Sequence, residues 1–347
     1  MSHAFEGFGS GFAQRLITTT SNPFVGLFIG ILATSIIQSS GTTTSMVVAF
    51  VASGVLSIRC AIPIVMGANI GTTVTCTLVA LAHITRKEEF RRAFSGSTMH
   101  DFFNILTVII LFPIEMHTHY LEKAGLFLSS VFCNAGGAAI TSPIKFIVNP
   151  AINLIDGILR NHINVSNTAL NIIFFIIALM LLFMSLYNIT KVMKSLVMRK
   201  ADMIFDKVIR KNAIIAMCMG ALFTAVVRSS SITTSLLVPL IAAGILQLEH
   251  AFPIVLGANV GTTITAMLAA LTGNIAGITI AFVHLVFNLT GIIIVYPLKQ
   301  LRRIPIVLAR FTAEVCTIHR VYAIIYVLGL FYALPISLIF LSKILTK

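Results

Sequence analysis

The 347-residue chain is 57% hydrophobic and only 10% charged, with a mean hydropathy of +0.99. Too few polar residues remain to cover a water-facing surface, so composition excludes a soluble globular protein and implies one solvated by a bilayer. The formal charge of +13 does not point to nucleic acid, because Lys and Arg gather between apolar runs and form no stripe with interleaved aromatics.

At the amino terminus, Gly7, Gly9, Gly11 and Arg15 provide neither a basic n-region nor a compact apolar h-region, so no cleavable signal is expected. Apolar runs follow near 24–37, 43–58, 61–83, 99–116, 168–190, 212–227, 232–247, 251–272, 277–298 and 321–342. A spanning helix needs about 20 residues, so runs of roughly 15 read as half-membrane pieces. The cysteines, Cys60, Cys76, Cys133, Cys218 and Cys316, are odd in number and dispersed, which argues against a disulfide framework or a metal site.

Residues 30–81 and 220–271 are two copies of one segment, identical at 26 of 52 positions without a gap. Gln38-Ser39-Ser40-Gly41 in the first copy stands where Arg228-Ser229-Ser230-Ser231 stands in the second. Each polar group separates two short apolar pieces, which reads as a helix, a tip and a returning helix. Irregular backbone at membrane depth is tolerated where protein or a water-filled cavity satisfies it, so both tips are expected to face an internal site. The second helix of each hairpin starts at the tip, presenting free N–H groups and the positive end of its dipole. Two such ends converging would hold an anion. Ser and Thr runs also serve close helix packing and back-bonding to carbonyls, an alternative that two matched runs make weaker.

Farther along each copy, Asn69-Ile-Gly71-Thr72-Thr73 and Asn259-Val-Gly261-Thr262-Thr263 are expected to interrupt the next helix, exposing carbonyls. Such carbonyls with Thr hydroxyls form an oxygen shell suited to Na⁺. The other reading is a small-residue contact with the hairpin behind, and both can hold together. The likeness continues past the copies: His100, Phe103 and Asn104 pair with His284, Phe287 and Asn288. Asp101, a carboxylate at membrane depth, is a functional candidate, with a helix-terminal charge as the alternative. His100 and His284 read as buried hydrogen-bonding residues. A guanidinium at a hairpin tip, Arg228, needs an anion or carbonyls as partner.

Charge sets an expected topology. Arg86, Lys87, Arg91 and Arg92 lie in the loop after the first copy, whereas the loop around 272–277 after the second is uncharged. The positive-inside rule places the first in the cytoplasm, with Lys191 to Lys211 and Lys299 to Arg310 on the same side and 117–167 outside. Threading these assignments runs 61–83 inward and 251–272 outward, so the copies are antiparallel. The fold expected is an all-α integral membrane protein of two inverted-topology repeats, each with a re-entrant helical hairpin, an interrupted helix and a further transmembrane helix. Repeat 1 takes 1–116, with its hairpin at about 22–58 and helices at about 61–83 and 99–116. A connection follows at 117–167. Repeat 2 takes 168–300, with a helix at about 168–190, a hairpin at about 212–247 and helices at about 251–272 and 277–298. Residues 301–347 hold a cytoplasmic segment and a last transmembrane helix.

The tips, the Gly-Ala-Asn-Ile-Gly-Thr-Thr stretch at 67–73 and the run from Glu89 to Asn104 resemble the type II sodium-dependent phosphate cotransporters. That resemblance covers most of 20–116 and 212–300. It implies import of inorganic phosphate with several Na⁺ between inverted repeats, in a plasma or bacterial inner membrane, with no cofactor beyond the coupling ions. By the same resemblance Gln38, Ser39, Ser40, Ser229, Ser230 and Ser231 line the substrate and ion site. Asn104, Thr262 and Thr265 are Na⁺ ligands, with Thr72, Thr75, Asn69 and Asn259 at matching places in the copies. An Asp at the position of Asp101 marks electrogenic members. Arg228 either grips phosphate or replaces a bound cation. The oligomeric state stays open, a homodimer included.

Rival functions are coupling to H⁺, carriage of sulfate or arsenate, and a phosphate sensor that binds without flux. An intramembrane Ser hydrolase is disfavoured, since no Gly-x-Ser-x-Gly elbow is present and the serines are duplicated where an enzyme needs one nucleophile.

Overall fold

The structure is a computed structural model that describes residues 20–134, 212–271 and 274–345, with Pro150 and part of 169–184. The expected helix at 168–190, most of the connection at 117–167 and the basic run Lys191 to Lys211 lie largely or wholly outside the described residues. Among the described residues every element is helical. The first hairpin is α1 (Pro23–Ile37) and α2 (Ser40–Ala52), followed by α3 (Ile58–Gly71) and α4 (Val74–Leu81). Then come α5 (Lys87–Thr118) and α6 (Tyr120–Phe132). The second hairpin is α7 (Ala213–Val227) and α8 (Ser230–Ala242), followed by α9 (Leu248–Ala270) and α10 (Ile275–Val295). The chain ends with α11 (Lys299–Ile318), α12 (Val321–Leu328), a π-turn at Gly329–Ala333 and α13 (Leu334–Leu345). Ile58–Leu81, α5, α9, α10 and Val321–Ser342 are each long and apolar enough to cross a membrane, whereas the four hairpin arms are shorter. The chain is an all-α membrane protein.

The hairpins begin and end alike because their end signals are local. Asn22 and Asn212 cap α1 and α7, their side chains accepting from the N–H groups of Phe24 (3.0 Å) and Ile214 (2.9 Å). At the other end Gln38 and Arg228 take left-handed backbone, φ 57° and 59°, and each donates its N–H to the Thr carbonyl four residues back. The chain reverses there, and Ser39 and Ser229 cap the returning helices.

Two expected elements are corrected by the structure. Helix α5 starts at Lys87, well before 99, so only Arg86 of the four cations lies in the connection. Glu88 and Glu89 favour this start, being acidic residues in the first turn of a helix. The second is that the Asn-x-Gly-Thr-Thr segment interrupts the helix only in the first copy, between α3 and α4, while α9 runs unbroken through its counterpart. The Thr chemistry is the same on both sides: Thr72 donates to the Ala68 carbonyl and Thr262 to that of Ala258, each at 3.0 Å. The difference comes from outside the helix. Asn104 donates to the Asn69 carbonyl (2.7 Å) and Ser231 to that of Thr72 (3.4 Å). Donors inserted into an i→i−4 ladder break it, and the counterpart of Asn104, Asn288, donates instead to the carbonyl of His284 in its own helix (3.0 Å).

First arms pack chiefly within their own copy, α1 on α3 and α7 on α9, and second arms pack both there, α2 on α3 and α8 on α9, and across, α2 on α9 and α10, α8 on α4 and α5. In lipid, helix association rests on close packing and polar contacts more than on apolar burial. Glycine supplies the close approach. A Cβ on Gly30 would strike the Ile64 carbonyl oxygen and one on Gly220 that of Ile254; Gly67 and Gly257 face the carbonyls of Leu27 and Met217 in the same way.

Candidate functional site

Each hairpin tip is held by its own hydroxyls before it meets anything else. Ser39 Oγ accepts from the N–H of Thr42 (3.2 Å) and from the Thr42 hydroxyl (2.9 Å), while Ser229 Oγ accepts from the N–H of Ile232 (3.3 Å). These two serines therefore act as helix caps, and the N–H groups at the start of α2 and α8 belong to the positive ends of those helices. Ser40, Ser230 and Ser231 are buried, Gln38 is exposed, and Arg228 is partly buried with a buried Nε that has no hydrogen-bond partner.

The tips are set against the opposite copy. Gly41, just inside α2, lies against the side chain of Thr265 on α9; a Cβ there would sit 3.2 Å from the Thr265 methyl. At the corresponding place in the second tip, Ser231 reaches the Thr72 carbonyl at the break between α3 and α4. Thr234, one turn on, sits 2.7 Å from Cys76 Sγ. Thr75 and Thr265 occupy the same place in the two copies, and both hydroxyls are buried without a hydrogen-bond partner.

A buried chain of amides and imidazoles joins the copies. His100 Nε2 lies 2.5 Å from Asn259 Oδ1, Asn259 Nδ2 donates to Asn104 Oδ1 (2.8 Å), and Asn104 Nδ2 donates to the Asn69 carbonyl. Asn69 Oδ1 lies 3.3 Å from His284 Nε2. The pairing is reciprocal: the His of each copy meets the Asn of the other. An amide oxygen only accepts, so both Nε2 atoms carry the hydrogen. The two Nδ1 atoms are then buried acceptors, and neither has a donor. Sequence reasoning found the residues and the hydrogen-bonding role of the imidazoles. It did not find this crossed pairing, for which the matching 100–284 and 69–259 positions were the available sign.

Asp101 is fully buried on α5, next in sequence to His100. Its Oδ2 accepts from the Tyr326 hydroxyl of α12 (2.8 Å), and its Oδ1 has no hydrogen-bond partner. Tyr326 carried no signal in the sequence beyond a place in the last apolar run. Two cavities lie away from the tips, one of about 530 Å³ lined by Arg91, Arg92 and Arg310 among others, and one of about 650 Å³ lined by Lys299, Arg302 and Arg303 among others.

Comparison with known proteins places these features in a family. The family described as "Na+/Pi-cotransporter" matches residues 1–134 and 179–319. Sodium-dependent phosphate transport protein 2B of Homo sapiens is 33% identical over 99% of this chain and 62% of its own length. The protein of the same name from Pongo abelii is 33% identical over 99% of the chain and 63% of its own length. Sodium-dependent phosphate transport protein 2A of Rattus norvegicus is 35% identical over 98% of the chain and 64% of its own length. The chain thus spans a little under two thirds of these relatives, which are transporters and not enzymes. No solved structure matches it. The resemblance carried by the serine tips and the Gly-Ala-Asn stretch is therefore one of descent, and the chain belongs to the Na⁺/Pi-cotransporter family.

Proposed function

We propose that this protein carries inorganic phosphate across the membrane with Na⁺ by alternating access, inward and with net movement of positive charge. The two hairpins are re-entrant, the copies are inverted repeats, and substrate binds between the tips. The observation that carries this reading is the crossed packing, in which the returning helix of each tip lies on the other copy around the buried His–Asn chain. The names of the relatives supply the solutes.

Phosphate carries about −1.5 to −2 charges near neutral pH, by analogy with a phosphoryl monoester. Stripping its water is prohibitive unless the protein replaces it with fixed positive potential and donors. The caps Ser39 and Ser229 hold the starts of α2 and α8 in shape, Gln38, Ser40 and Ser230 supply donors, and Ser231, whose hydrogen goes to the Thr72 carbonyl, lines the site. The unpartnered Nε of Arg228 grips the anion. Na⁺ takes oxygen ligands. Asp101 Oδ1 and the hydroxyls of Thr75 and Thr265 are buried oxygens with no present partner. Thr72 and Thr262 give their hydrogens to their own helices and keep lone pairs for a cation. Asn69, Asn104 and Asn259 frame the ions through the amide chain. Each net positive charge moved inward gains about 2.3 kcal/mol per 100 mV of inside-negative potential.

The test is phosphate uptake into proteoliposomes with Na⁺ exchanged for choline. Uptake that persists undiminished in choline rules out sodium coupling, and competition by sulfate or arsenate reports the choice of oxyanion. Arg228→Gln makes the second tip resemble the first. It should raise the phosphate half-saturation concentration roughly tenfold or more, the loss expected for one charge-assisted contact, while uptake still depends on Na⁺.

A further inference from the structure

The C-terminal helix segment lies beyond residue 319, where the family match ends, yet it reaches the centre of the molecule twice. On one side of the π-turn Tyr326 donates to Asp101 Oδ2 (2.8 Å). Tyr332, within the turn, donates to the Ser35 carbonyl (3.0 Å), one of the last carbonyls of α1 and beyond the reach of a partner in its own helix. The ring of Tyr326 is fixed by Phe94, Phe102 and Phe331, whose centroids lie 5.9, 6.3 and 6.2 Å away. The hydroxyl is thus the polar end of an otherwise apolar clamp.

The Thr73 hydroxyl also faces the carboxyl but gives its hydrogen to the Ile70 carbonyl (3.1 Å), so Tyr326 ties one oxygen and the other is left to take a cation. A hydroxyl that donates to Oδ2 fixes the rotamer and leaves Oδ1 pointing where it is needed. It also holds the acid without neutralising it, which a Lys or Arg in its place would not. We propose that Tyr326 is a positioning residue for Asp101, so that the C-terminal helix completes a cation site whose other residues come from the repeats. This rests on the proposed role of Asp101 as a Na⁺ ligand. In the second copy Leu285 stands at the position of Asp101, so the phenol has its acceptor in the first copy.

The experiment uses the full chain in proteoliposomes and measures phosphate uptake against Na⁺ concentration. Tyr326→Phe keeps the ring and its aromatic contacts and removes only the donor. The half-saturating Na⁺ concentration should rise about tenfold or more, the loss expected for one hydrogen bond to a charged group, with maximal uptake at saturating Na⁺ retained. In an Asp101→Gly background the same substitution should change nothing further, because the donor has lost its acceptor. Tyr332→Phe, which removes a hydroxyl bonded to a backbone carbonyl, should leave Na⁺ half-saturation unchanged. A merely structural role for Tyr326 predicts lower maximal uptake at unaltered Na⁺ half-saturation, or an equal shift with and without Asp101. Either result overturns the proposal. Where Asp101→Gly gives no measurable flux, Asp101→Ala is used, and the rise in thermal midpoint on adding Na⁺ to purified protein replaces uptake as the readout. Wild-type uptake that ignores Na⁺ defeats the sodium reading itself. Sodium-dependent wild-type uptake with an unshifted Tyr326→Phe variant defeats only the role of the tyrosine.

Discussion

The two copies share sequence, turn geometry and glycine contacts, yet the first is broken where the second is whole. Both tips turn at a left-handed residue followed by a serine cap, with nearly equal angles. Beyond that their surroundings differ. In the second hairpin Thr224 and Thr233 pin the two arms together, their hydroxyls 2.6 Å apart, whereas the matching Thr34 has a buried hydroxyl without a partner. In the first copy the Asn69 and Thr72 carbonyls are captured by side chains from elsewhere, and the helix opens. Tyr326 and Tyr332 also serve only the first copy. Equal local chemistry therefore produces equal ends, while asymmetry enters through distant donors.

The strongest test of the shared part is at the glycines. Gly67→Ala and Gly257→Ala each put a Cβ onto a backbone carbonyl of the neighbouring arm, an atom that cannot rotate away. Each should cost about 3 kcal/mol or more, at the upper end of overpacking, seen as loss of monodisperse protein and a lower thermal midpoint. Like losses in the two copies sustain the equivalence; an alanine tolerated in one copy alone breaks it.

The asymmetric part is tested at the two matched asparagines. Asn104→Ala strips the donor from the Asn69 carbonyl and the acceptor from Asn259 Nδ2, both buried. At about 1–3 kcal/mol for each orphaned group, the loss is about 2–6 kcal/mol. Asn288→Ala removes one bond to its own helix and leaves its unpaired Oδ1 no worse, for about 1 kcal/mol. Thermal midpoints that fall equally would mean that the Asn104 donor is not what opens the helix between α3 and α4.

Much of this was legible in the sequence because its causes are local. Asn22 before Pro23, Gln38 before Ser39 and their counterparts in the second copy mark helix ends by themselves, and the matched glycines announce close packing. The early start of α5 was missed, since its basic first turns read as loop, although Glu88 and Glu89 mark a helix start. The single-sided break could not be read either, because Asn69 and Asn259 have nearly the same neighbours and differ only in which distant side chain arrives. The same holds for Asp101, whose candidacy was visible but whose partner Tyr326 sits in a run that looks uniformly apolar.

The smallest effect concerns the caps, where the copies are most alike and a difference is still predicted. Ser39 Oγ takes two hydrogens, from the Thr42 N–H and from its hydroxyl, and Ser229 Oγ takes one, from the Ile232 N–H. Position 232 is an isoleucine and cannot supply the second. Loss of a Ser cap costs about 1 kcal/mol, so Ser229→Ala should destabilise by about that much and Ser39→Ala by roughly half a kcal/mol to 1 kcal/mol more, for the stranded Thr42 hydroxyl. Ile232→Thr supplies the missing donor and should make the Ser229→Ala penalty rise to match that of Ser39→Ala. Thermal midpoints of the single and double variants separate the contributions. A penalty at Ser229 that ignores residue 232 would show that the first turn of the helix, and not the hydroxyl pair, sets the stiffness of each tip.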